Sequence, residues 1–198
     1  SAMAPISEDA QAYFLSVVKT TIEHGMRHDA PPILNPWTPP DFSKVIGEVQ
    51  VSLVWPTGSL TASNHRTPTQ LWIGIRALAF EAALRKPQRV CRYLLDQTTV
   101  RVEICESPGR ALVQRTLEEL EQSIYDGETI ALSDGTHSAL AVASSRKYFD
   151  SNRDFLCDLR TRAGIPEDVE WQRLILHVNR TRPAFEAPYQ QIQCLPTD

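Results

Sequence analysis

Two places in the chain bring together residue types that could do chemistry. Ser63 and His65 stand two apart in Leu60-Thr61-Ala62-Ser63-Asn64-His65. A serine becomes a nucleophile when a base takes its proton, and two residues so spaced in a loop can converge. Asn64, between them, is a candidate substrate contact. No third, orienting carboxylate is identifiable, and no Gly-x-Ser-x-Gly elbow is present. The competing reading is that Ser63, Asn64 and His65 hydrogen-bond the loop and cap the next helix. The second place is His177, with Arg173 and Asn179 on the same face of one strand. Such a row could bind a carboxylate or polarise a carbonyl. A partly buried histidine satisfied by its neighbours is the plainer alternative.

Other residues carry weaker signals. His24 and His28 stand four apart on a helix, a spacing compatible with a metal ion, but no third ligand is near in sequence, so a solvated helix end is expected. Trp55 and Trp72 read first as core residues; lining a cleft, they would suit a flat or greasy substrate. Trp37 and Trp171 read as core.

The bulk composition narrows the function classes. The net charge of −4 leaves no global basic field for nucleic acid. Cys91, Cys105, Cys157 and Cys194 form no Cys-x-x-Cys pair and have no histidine at ligand spacing, so neither a structural zinc nor another metal is expected. Thiols so spaced suggest a reduced, cytoplasmic protein. No apolar run approaches the roughly 20 residues of a membrane span. Ser1-Ala2 before Met3 reads as a tag remnant, and Asn179-Arg180-Thr181 as a chance glycosylation sequon.

The elements that must position these groups follow from end to end. Ser7 to His28 predicts a helix, with Ser7 as cap, Glu8 and Asp9 in the first turn, and Phe14, Val17, Val18, Thr21, Ile22 and Gly25 on one face. Asp29 to Phe42 holds Pro31, Pro32, Pro36, Pro39 and Pro40 and reads as an extended connector with Ile33, Leu34 and Trp37 tucked down. Val45 to Trp55 alternates as a strand and turns at Pro56-Thr57-Gly58; a polar loop runs from Ser59 to Arg66. Thr67 as cap and Pro68 predict a helix from Thr69 to Leu84, apolar enough all round to be central.

Further on, Gln97 to Cys105 alternates as a strand, and Thr116 to Glu119 is a capping box opening a helix through Ile124. Thr129–Leu132 and Ser138–Val142 predict a hairpin joined through Asp134-Gly135. Ser151 opens a helix with Phe155, Leu156, Leu159 and Ala163 on one face, stopped by Gly164 and Pro166. Trp171 to Asn179 predicts the last strand, with Leu174, Leu176 and Val178 on one side and Arg173, Ile175, His177 and Asn179 on the other. No Gly-rich loop follows a strand, which argues against a nucleotide-binding doubly wound sheet.

This order resembles the AMMECR domain family along nearly the whole chain. "GEVQVSLVWPTGSL" is similar to the family's first strand and turn, "IGIRALAFEAALRKPQR" to its A-x-x-A-A helix and the turn after it, and "VRVEICESP" to its I-S-V-L-S-x-P strand. Arg162-Ala163-Gly164-Ile165 resembles its KAGL-like turn, and Phe185-Glu186 its close. The resemblance implies an α+β fold: a mixed, mainly antiparallel sheet packed by helices, with a smaller helical lobe, in a single domain over 4–190 and a tail over 191–198. Members of that family often accompany dioxygenase-like MEMO proteins and radical-SAM proteins, which implies a role in modifying something. The family's L-R-G-C-I-G loop is rewritten here: Thr61, Ala62 and Ser63 stand for its arginine, glycine and cysteine, and Lys86 and Gln88 replace the Asp and Arg of the later turn.

Together these readings lead to a divergent AMMECR-like enzyme. It would act on a small organic metabolite without metal, nucleotide or other cofactor, by cyclisation, isomerisation or hydrolysis. Ser63, His65 and His177 would be its catalytic candidates, and Asn64, Trp55, Trp72 and Arg173 its substrate contacts. The alternative is a non-enzymatic adaptor that binds a protein partner. Neither nucleic acid nor membrane is an expected partner.

Overall fold

The computed structural model describes residues 5–34, 46–64, 67, 69–85, 88–106 and 109–196. His65, Arg66, Pro68, Lys86 and the proline-rich stretch around Trp37 lie outside them. In chain order the elements are α1 (Glu8–His28), β1 (Ile46–Trp55), β2 (Gly58–Ser63), β3 (Thr69–Gln70), α2 (Leu71–Leu84), α3 (Arg92–Leu95), β4 (Thr99–Glu106), β5 (Arg110–Leu112), α4 (Leu117–Ser123), β6 (Glu128–Ser133), β7 (Ser138–Ala141), α5 (Asn152–Ala163), β8 (Ile175–Arg180) and β9 (Phe185–Pro188). The fold is α+β, as the sequence predicts. Its strands fall into two sheets, where the resemblance implies one sheet and a smaller helical lobe.

The chain divides into two compact units, one built from Pro5–Ile104 and Ala184–Asp198, the other from Cys105–Pro183. In the larger unit the sheet runs β2-β1-β4-β9, with β3 also paired to β1. Val49, Val51 and Leu53 of β1 and Val100, Val102 and Ile104 of β4 join Phe14, Val18 and Ile22 of α1 and Ile75 and Ala79 of α2 in one core. Ser7 caps α1, its Oγ accepting the Ala10 N–H at 3.3 Å. The segment read as a tail is packed: Ile192 is buried, and the Leu195 N–H donates to Thr20 Oγ1 at 2.8 Å.

In the smaller unit the sheet runs β5-β8-β6-β7, antiparallel at every pairing. Leu112, Ile130, Leu132, Leu176 and Val178 face Phe155, Leu156 and Leu159 of α5 in a second core. Both arms of the Thr116–Glu119 capping box form, and Gly164 ends α5 at φ 71°, where a side chain would be strained.

Four local expectations are corrected. The segment Ser59 to Ser63 is not a loop but β2, paired with β1 from Trp55↔Gly58 to Gln50↔Ser63. The two-residue turn at Pro56-Thr57 closes the hairpin, and Leu60 and Ala62 turn toward the core. The central helix starts at Leu71, because Thr69 and Gln70 pair with Ile46 and Gly47 instead. Thr67 caps nothing there; its N–H and hydroxyl both donate to the Asn64 carbonyl at 2.9 Å. Trp171–Arg173 is a 3-10 turn rather than strand, closed by Arg173 N–H to Glu170 O and Leu174 N–H to Trp171 O, both at 3.0 Å. The Arg160 guanidinium holds that turn, lying 5.0 Å from the Trp171 ring centre and donating to Pro166 O at 2.7 Å. Ile33 is 92% exposed rather than tucked down, while Leu34 is buried.

Candidate functional site

The smaller unit presents the better-defined constellation. Because Leu176 and Val178 enter the core, Ile175, His177 and Asn179 stand on the opposite face of β8. The cross-strand register sets a row there: Ala111 of β5, His177 of β8, Ala131 of β6 and Leu140 of β7. Alanines on both sides leave the half-buried imidazole as the one polar group of its row. One row along, Asn179 is buried and lies opposite Thr129. Gly109 comes so close that a Cβ there would sit 1.7 Å from Asn179 Oδ1, so only a glycine fits against this amide.

Thr129 continues into a buried polar chain. Its Oγ1 lies 2.5 Å from Thr181 Oγ1 and accepts the Ala143 N–H at 3.3 Å; Cys105 Sγ is 3.3 Å from Thr181 Oγ1. Sequence reasoning missed this chain. Its members are 14 to 76 positions apart, and the β6–β8 pairing and the Cys105↔Thr181 bridge bring them together. Arg173, expected beside His177, is exposed on the 3-10 turn that precedes β8.

The larger unit carries Ser63 and Asn64. Ser63, the last residue of β2, is half-buried opposite Gln50. Asn64 acts as a brace: its Oδ1 accepts the Val49 N–H at 2.6 Å, and its own N–H donates to the Val49 carbonyl at 3.2 Å. Gly74 of α2 faces it, where a Cβ would meet Thr69 Oγ1 at 2.7 Å and Asn64 Nδ2 at 3.1 Å. These bonds match the loop-closing alternative of the sequence reading.

On the side of this sheet away from the core stand Glu48, Gln50 and Ser52 of β1, Thr61 and Ser63 of β2, and Arg101 and Glu103 of β4. Glu103 and Glu48 are only 3% and 9% exposed, so this is no solvated face. Ser52 Oγ and Thr61 Oγ1 lie 2.9 Å apart, and Arg101 donates to Glu186 at 3.0 Å. Their alternation with Val49, Val51 and Leu53 signals a two-faced strand, but nothing in it foretells burial of the polar side. Trp55 and Trp72 pack partly buried against the core. The Trp55 ring covers Gly58, and Arg76 lies 5.4 Å from the Trp72 ring centre.

Among the described residues no group of three or more His, Cys, Asp or Glu side chains is placed to hold a metal ion, and no helix is long and apolar enough to cross a membrane.

Comparison with known proteins finds likeness at the level of fold. A solved structure of an uncharacterized protein from Pyrococcus horikoshii superimposes with a TM-score of 0.77 at 17% identity, over 92% of this chain and 98% of that one. No family model matches the chain, and no curated protein matches it.

Proposed function

We propose that the chain is a divergent AMMECR-like protein and an enzyme that acts on a small organic metabolite by proton transfer, with His177 as the acid–base group. The observation supporting this is the placement of His177 between Ala111 and Ala131, half-buried, with Asn179 two residues along the same face. Imidazole is the side chain best matched to taking and returning a proton near neutral pH. Isomerisation or cyclisation of a carbonyl compound needs a proton moved on and off carbon or oxygen, and an amide beside the base orients the carbonyl. Hydrolysis needs the same base to activate water. Such steps call for neither metal nor nucleotide. The order of elements and the quoted strand and helix segments support the family reading, and the wide spacing of the four cysteines supports a cytoplasmic setting.

The test is turnover of a metabolite mixture followed by mass spectrometry. His177→Gln is expected to lower the rate of any converted compound by about 100-fold or more, the scale of general acid–base catalysis. Loss of turnover in Ser63→Ala with His177→Gln unaffected would move the chemistry to the rewritten loop.

A second reading, the protein-binding adaptor, has its own observation in Ile33, exposed beside Pro31 and Pro32. A partner retained by the wild type and lost by Ile33→Asp would support it.

A further inference from the structure

We propose that His24 and His28 form a two-imidazole site for a borderline divalent transition metal at the C-terminal end of α1. Spacing alone reads as a solvated helix end. The structure adds two facts. The ring centres lie 4.6 Å apart with the planes tilted by 45°. His24 Nδ1 lies 2.7 Å from the Ala30 carbonyl oxygen. A carbonyl only accepts, so Nδ1 carries the hydrogen, and in the neutral ring the lone pair is on Nε2. Metal-bound histidines have this arrangement: the nitrogen that does not ligate donates to a carbonyl, which fixes tautomer and ring orientation.

Nitrogens on one tetrahedral ion at about 2.1 Å each stand about 3.4 Å apart. Rings whose centres are 4.6 Å apart can present that spacing by side-chain rotation alone. With no third side-chain ligand among the described residues, water completes the shell. Two imidazoles select Cu(II), Ni(II) or Zn(II) over Mg²⁺ or Ca²⁺. The helix C-terminus favours the positive charge. Arg27 is in the same last turn, and Arg89 donates to the C-cap Asp29 at 2.9 Å. A bound ion would tie the last turn of α1, through His24, to the Asp29–Ala30 segment. The site is separate from His177 and independent of the reaction proposed for it.

Titration of the whole protein with Ni²⁺ alone, followed by calorimetry, tests this. One saturable equivalent is expected. Its affinity should fall at least tenfold in His24→Gln and in His28→Gln, and Ni²⁺ should raise the melting temperature of the wild type but not of the double variant. Cu²⁺ should show nitrogen couplings by electron paramagnetic resonance. Absence of saturable binding, or equal affinity in the double variant, would overturn the assignment.

Discussion

At the scale of single residues, Asn64 and Asp134 show two ways in which a short polar side chain fixes backbone. Asn64 satisfies the Val49 N–H, and the flanking strand residue Val49 is buried. Asn64→Ala leaves that donor unpaired and should cost about 1–3 kcal/mol in urea denaturation, with Asn64→Asp, which keeps the acceptor, costing less. Asp134 organises the β6–β7 turn. The His137 N–H, the His137 ring and the Thr136 N–H all reach its carboxylate, which holds it at about 2. A carboxylate whose folded pKa lies below its unfolded value of about 3.9 stabilises the fold above that value. The contribution is lost as pH falls through 2. The stability difference between wild type and Asp134→Ala should therefore be full at pH 6 and shrink progressively between pH 4 and 2. The turn itself was legible from Asp134-Gly135. A hydrogen-bonding role for Asn64 was legible too, but its partner Val49, 15 positions away, was not, because that contact depends on the β1–β2 pairing.

At the scale of elements, the capped helices were legible and the hairpin around the rewritten loop was not. Thr116, Ser151 and Gly164 act locally, within four residues of the groups they satisfy. Thr116→Ala removes the acceptor of the Glu119 N–H while the backbone arm to the Glu119 carboxylate stays, and should cost about 1 kcal/mol in thermal or chemical unfolding. β2 is different. Gly58-Ser59-Leu60-Thr61-Ala62-Ser63 has the composition of a loop, and its strand character comes from pairing with β1. β3 likewise takes two residues from the expected helix because Ile46 and Gly47 offer partners. Pairing of this kind is settled by the sheet and overrides local propensity.

At the scale of the molecule, the chain returns to the larger unit after leaving it at Cys105. β9 pairs with β4, Val102↔Phe185 through Thr99↔Pro188, and Tyr189 then anchors the segment. Its hydroxyl donates to Glu23 Oε2 at 3.0 Å, its carbonyl accepts from Lys19 at 2.9 Å, and Arg92 also donates to Glu23. Burial, then the nearby Glu23 charge, pushes the phenol well above its usual range, so it stays a donor at every working pH. Tyr189→Phe should cost about 1–2 kcal/mol, read as a lower urea midpoint. Phe185-Glu186 was legible as a closing motif. Its pairing with β4, itself legible as a strand some 85 positions earlier, was not, because no local pattern encodes so distant a partner.

Native mass spectrometry of protein incubated with a metabolite extract tests the proposed role of His177 most directly. Wild type should retain a small organic species that is released on denaturation, and His177→Gln should retain it without conversion or lose it. If His177→Gln converts every compound that the wild type converts, or if neither protein binds or converts any of them, the proposed proton-transfer role is contradicted.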